Sequence, residues 1–95
     1  MLPPSIIERI NSMLAYKGQG WVQLHTFHVV GQCGSYYGAH GILGLSGCSS
    51  VRRRLETLQA DLDLNLVYSD GSGIVITPTG QQLLKLLGSA FGGGN

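Results

Sequence analysis

The sequence predicts a mainly α fold with one small β-hairpin, an α+β chain in which the hairpin separates the last helix from those before it. Three observations predict it. Apolar residues recur at three- and four-residue spacing in several separate stretches, most clearly Val51, Leu55, Leu58 and Leu62. The stretch LNLVYSDGSGIVITP instead alternates, passes through Asp70-Gly71-Ser72-Gly73 and turns β-branched, which is the pattern of two short strands and a tight connection. The 95 residues are 43% hydrophobic, too apolar for a disordered chain and too short for two cores.

In chain order, Ser5 follows two prolines and precedes Ile6, Ile7, Ile10, Met13 and Leu14. This predicts a helix over residues 5–17, capped by Ser5 with Glu8 as its capping-box partner and stopped by Gly18 and Gly20. A second helix is predicted from Trp21 to Val30, with Val22, Leu24, Phe27 and Val30 inward and Gly31 to Gly34 breaking it. Ser35 is the expected N-cap of a short third helix over Tyr36 to Leu43, with Ala39, Ile42 and Leu43 toward the core. Gly38, Gly41 and Gly44 weaken that helix, each interior glycine costing about 1 kcal/mol against alanine. Gly38 and Ala39 would let a neighbouring helix approach closely. After the hairpin, Thr77 caps a last helix that opens with Pro78 and carries Leu83, Leu84, Leu86 and Leu87.

The fourth helix, about residues 49–62, carries the chemistry. At about 100° per residue, Arg53 lies nearly opposite the Val51–Leu55–Leu58–Leu62 stripe, while Arg52 and Arg54 flank it. Three of the chain's six basic residues therefore sit consecutively on one helix. Arginine reads guanine edges bidentately and grips phosphate. Arg53 is thus expected at base edges and Arg52 and Arg54 at phosphates, with Ser49, Ser50 and Thr57 as auxiliary contacts. Helix, turn, helix, hairpin, helix is the order of a winged helix-turn-helix, here with an added N-terminal helix.

Composition bounds the partners. Net charge is +1, so a basic patch rather than the total would attract nucleic acid, since phosphate contacts act within a Debye length of about 8–10 Å. Charged residues are only 12% of the chain, leaving apolar surface for a partner, and a homodimer is expected. Ile6, Ile10, Met13, Leu83 and Leu87 are the candidate dimer contacts. The organisation expected is a dimerising helix over 1–20, a winged domain over 21–90 and a flexible Gly-rich tail over 91–95. The letters show no secretory signal and no apolar run near 18 residues, and Cys33 and Cys48 make no disulfide framework, so a cytoplasmic protein off the membrane, nucleoid-associated, is expected. The acids are scattered and no nucleophile elbow or phosphate loop occurs, so no catalytic residue and no cofactor are expected. His25-x-x-His28 with Cys33, His40 and Cys48 invites a metal or redox reading, but the spacing lacks the paired ligands of structural zinc sites. The plainer expectation makes the cysteines small buried hydrophobes and the histidines partly exposed.

Phe27 through Leu87, with CGSYYGAHGILGLS, RRRLETLQADLDLNLV and ITPTGQQLL, resembles the N-terminal DNA-binding domain of LysR-type transcriptional regulators. The resemblance implies sequence-specific binding of double-stranded DNA by a dimeric regulator. Ser35 and Tyr36 at the start of the third helix, Ser46 in the turn and Ser72 in the wing join the candidate DNA contacts. The chain departs from the pattern in holding one extra residue after Ser46, in Gly47-Cys48 where Gln-Pro is common, in Asp63 where a glycine follows the recognition helix, and in a wing without arginine. LysR-type regulators continue into a linker helix and an effector domain, whereas this sequence ends at Asn95, so binding without a small-molecule domain is expected. A leading helix before a winged domain is also similar to the N-terminal half of molybdate-responsive regulators. The alternatives are a winged-helix module that binds an acidic protein partner and a metal- or redox-responsive regulator using the Cys and His residues.

Overall fold

The computed structural model describes residues 2–16, 18–69 and 73–91. Five helices and a two-stranded antiparallel hairpin follow in the order α1 (Pro4–Ala15), α2 (Gln19–Cys33), α3 (Tyr36–Leu43), α4 (Cys48–Leu62), β1 (Val67–Ser69), β2 (Ile74–Ile76) and α5 (Pro78–Ala90). This is the mainly α fold with a small wing that the spacing predicts, and the expected bounds of α3 are met at both ends.

The hub is α2. Gln23, Leu24, Thr26, Phe27, His28, Val29 and Val30 are all buried, because α1, α3, α4 and α5 each pack against it. Leu24, Phe27 and Val30 are fully enclosed with Ile10, Ala39, Val51, Leu58, Leu66, Leu83 and Leu87. Each large apolar side chain so enclosed contributes about 1.5–3 kcal/mol relative to exposure.

Local chemistry sets the helix ends. Ser35 Oγ accepts from Gly38 N–H at 3.1 Å, and Thr77 Oγ1 accepts from Gly80 N–H at 3.0 Å while donating to Asn65 C=O at 2.6 Å. Both are the caps expected from sequence. At the end of α4, Asp63 adopts a left-handed conformation with φ 53°, which is how a non-glycine residue fills the place of the glycine in the LysR-type pattern.

The strands pair Val67 with Ile76, Tyr68 with Val75 and Ser69 with Ile74. The connecting Asp70-Gly71-Ser72 lies outside the described residues, as do Lys17 and residues 92–95 of the expected tail. Gln59 of α4 fastens the wing root: its Oε1 accepts from Leu66 N–H at 2.7 Å and Val67 N–H at 3.1 Å. Gly80 lets α5 press on the same place, since a Cβ there would collide with the Leu66 carbonyl oxygen and lie 2.8 Å from Ile76 Cγ2.

Several expectations are corrected. Ser5 does not cap α1: the N-cap is Pro3, without a side-chain hydrogen bond, and Pro4 takes the first turn. Proline suits that position because its missing N–H has no intrahelical partner to lose. Gly31 does not break α2. It continues the helix to Cys33, and its bare Cα admits Leu84, whose methyl carbons lie 2.6 Å from where a Cβ would stand; Gly34, at φ 74°, is the stop. Ile42 is 69% exposed although it lies only about 60° around α3 from Ala39; Leu43, about 40° away on the other side, is the half-buried one. Cys33 is half-buried and Cys48 exposed rather than both buried, while His28 is buried rather than partly exposed. Gly38 sits against Cys33 and Ser35, so it admits the end of α2.

The largest correction concerns the dimer contacts. Ile10, Leu83 and Leu87 are fully buried within the chain's own core, because the stripes of α1 and α5 close over α2 instead of facing outward. Ile6 and Met13 are half-buried at the edge of that core.

Candidate nucleic-acid interface

Helix α4 separates its two faces cleanly. Val51, Leu55, Leu58 and Leu62 are buried, and on the opposite side Ser49, Arg52, Arg53, Glu56 and Thr57 are exposed. The buried stripe fixes the rotation of the helix, so the orientation of the arginines follows from packing against α2 and α3.

The three arginines take three different environments. Arg53 is exposed on the outer face, at the border of a cleft toward α2. Arg52 lies toward the wing, in a shallow cleft of about 370 Å³ that it lines with Tyr36, Glu56, Gln59, Tyr68 and Ile74. There the Tyr36 phenol has its pKa raised, chiefly by burial, with Arg52 pulling it down and Glu56 pushing it up. Tyr36 is therefore a half-buried phenol that stays protonated and able to donate.

Arg54 departs from its expected place. Its Nη1 donates to Thr26 Oγ1 at 3.2 Å, and the Thr26 hydroxyl donates in turn to the Val22 carbonyl at 2.8 Å. The side chain is thereby drawn back across α2 instead of reaching outward, and it is half-buried. The cause is the angular position of Arg54 at the edge of the stripe together with a hydroxyl on the facing helix, two facts far apart in sequence.

The hydroxyls divide similarly. Thr57 donates its proton to the Arg53 carbonyl at 3.0 Å, so toward a ligand it is an acceptor. Ser46 and Ser50 stand 3.5 Å apart at the turn. Ser35 is occupied as the cap of α3, where its Oγ already accepts from Gly38 N–H, and Ser72 lies outside the described residues. Gln19, Gln23 and Thr26, which border the same face of α4 from α2, carry no spacing signal in the sequence and are located by the fold alone.

Among the described residues, no three His, Cys, Asp or Glu side chains gather where they could hold a metal ion, and no helix is long and apolar enough to cross a membrane. His25 and His28 pack with aromatic rings instead: His25 stacks on Trp21 at 5.1 Å, and both histidines contact the Phe91 ring.

These elements in this order make a winged helix-turn-helix with a leading helix. The particular likeness is to OxyR of Corynebacterium glutamicum, a LysR-type regulator. A cysteine mutant of OxyR bound to H2O2 superposes with a TM-score of 0.68 at 26% identity, over 76% of this chain and 22% of that one. A second structure mutated at the same cysteine gives 0.66, with the same identity and coverage. The chain thus spans about a fifth of the OxyR chains it matches. The likeness accords with the N-terminal DNA-binding domain of a LysR-type regulator. No profile of a known family and no curated protein sequence matches the chain.

Proposed function

We propose that the chain is the sequence-specific, double-stranded-DNA-binding part of a dimeric transcriptional regulator, acting in the cytoplasm on the nucleoid, with α4 laid in the major groove. The observation that carries this reading is the single outer face of α4. It presents Arg52 and Arg53 with Ser49 and Thr57, while the opposite face is wholly buried, in a fold shared with a LysR-type regulator. A helix so fixed can enter a groove as a rigid reader. Arg53 addresses a base edge, and Arg52 reaches the phosphate on the wing side together with Tyr36.

The dimer surface proposed is the outer seam between α1 and α5. There Leu2, Ile7 and Leu86 line an apolar groove with Gln82, Lys85 and Ser89. Two copies joined there would present recognition helices to half-sites about 34 Å apart. Selection of duplexes from a random pool, followed by gel shift and sedimentation, tests the reading. The expected result is one enriched site with repeated half-sites, bound by a dimer. Absence of any preferred duplex at moderate salt, with retention of an acidic protein partner by the same helix, would favour the interaction module instead.

A further inference from the structure

Between the first turn of α2 and the flank of α4 lies an open cleft of about 410 Å³, lined by Gln19, Gln23, Ser50, Arg53, Arg54 and Thr57 with Leu45. Two guanidinium groups border it, and no carboxylate is among its lining residues. Helix α2 opens at Gln19 with no side-chain cap on its N-terminus, so the positive end of its dipole stands at the rim. Arg54 is held before any ligand arrives: the chain from Arg54 Nη1 to Thr26 Oγ1 to the Val22 carbonyl fixes its plane and uses one of its five N–H donors.

Gln23 supplies an independent observation. It is only 4% exposed, yet among the described residues its Oε1 has no hydrogen-bond partner. Buried amide oxygens are nearly always paired, and an orphan calls for a physical reason. A half-turn of the terminal amide exchanges Oε1 for Nε2 and breaks no bond made by that oxygen, because it makes none. The exchange adds an amide donor to the residues that line the cleft, among them Arg54 and the Ser50 hydroxyl, and a group that accepts from all of them is a phosphate.

We infer that this cleft is a phosphate-binding site, with Arg54 as its fixed cation and Gln23 as its amide donor, and that on a duplex it takes one backbone phosphate beside the bases faced by Arg53. Only the source of the phosphate rests on the DNA-binding reading. Arg54 would then be a phosphate contact made from behind the helix, clamped between α2 and α4.

The full chain is tested with two probes. The first is its selected duplex with a neutral methylphosphonate replacing one phosphate at a time. The second is sodium phosphate without DNA, compared with sodium chloride at equal ionic strength and followed through the side-chain NMR signals of Arg54 and Gln23. One position per half-site should lose about tenfold in affinity when neutralised, the usual worth of a charge-assisted hydrogen bond. At that position Gln23→Leu and Arg54→Met should show no further loss. Gln23→Leu replaces an unpaired buried amide by an apolar side chain of similar size, so its melting temperature should hold or rise, which separates lost binding from lost folding. Saturable phosphate shifts that vanish in Gln23→Leu, without any sensitive duplex position, would assign the site to a free phosphate group rather than to the backbone. Additive losses at every position, together with no saturable phosphate shift in the wild type, would overturn the site. If no duplex is selected at all, the DNA reading fails, and the phosphate titration alone decides the cleft.

Discussion

Two residues that touch no proposed ligand hold the wing in place. Gln59 satisfies two backbone amides at once, and Leu66, which carries one of them, is fully buried. Gln59→Ala should therefore cost about 2 kcal/mol through unsatisfied N–H groups, read as a lower urea midpoint at unchanged slope. A midpoint equal to wild type would show that water replaces the amide. Gly80→Ala places a methyl against a backbone carbonyl that already accepts from Thr77 N–H at 2.9 Å. Backbone cannot swing aside as a side-chain tip can, so overpacking of about 1–3 kcal/mol is expected, and thermal unfolding measures it. Residues of this kind differ in how well the sequence announces them. Ser35 and Thr77 are legible as caps because a cap is a local event, fixed by a hydroxyl and an amide three residues on. The reach of Gln59 to Leu66 and the tether of Arg54 to Thr26 join residues whose separation has no period.

At the scale of elements, periodicity located every helix, and it did so most faithfully where one stripe meets one neighbour, as in α4. It misled for α2, whose apolar and polar residues are buried alike because four helices surround it. It also misled for the stripes of α1 and α5, which periodicity cannot assign to an internal or an external partner. The division of labour within the arginine triplet changes accordingly. Arg53→Ala should relax preference at one or two base pairs, losing roughly 1–3 kcal/mol of discrimination. Arg52→Ala should weaken all duplexes alike and lower the salt slope by about one unit. Arg54→Ala should do the same and also destabilise the fold, since it leaves Thr26 Oγ1 without its donor. Binding curves at several salt concentrations, paired with urea unfolding of each variant, separate these effects. An Arg54 variant as stable as wild type would show that the tether holds nothing, and unchanged binding in all three would make the triplet a solvated face.

The molecule as a whole is one layer of helices around α2, and its last helix is tied to that hub by its leucines and, at its end, by an aromatic cluster. Phe91, at the end of α5, packs edge-on against Trp21 and His25 and lies 5.2 Å from the ring of His28. The pKa of His28 is lowered, first by burial and then by the nearby His25. The sign of the resulting pH dependence follows by linkage. Near neutral pH His28 is unprotonated in both the folded and the unfolded chain and contributes no slope. As pH falls through the ordinary imidazole value of 6.5, the unfolded chain takes up a proton that the folded chain resists, so stability declines until the lowered folded value is reached. The melting temperature should therefore drop between about pH 7 and pH 5. His28→Phe, which keeps a ring beside Phe91 but cannot titrate, should flatten that part of the profile while leaving α5 docked. A melting temperature constant across this window in the wild type, or an undiminished decline in His28→Phe, would remove His28 as the group that couples the packing of α5 to pH.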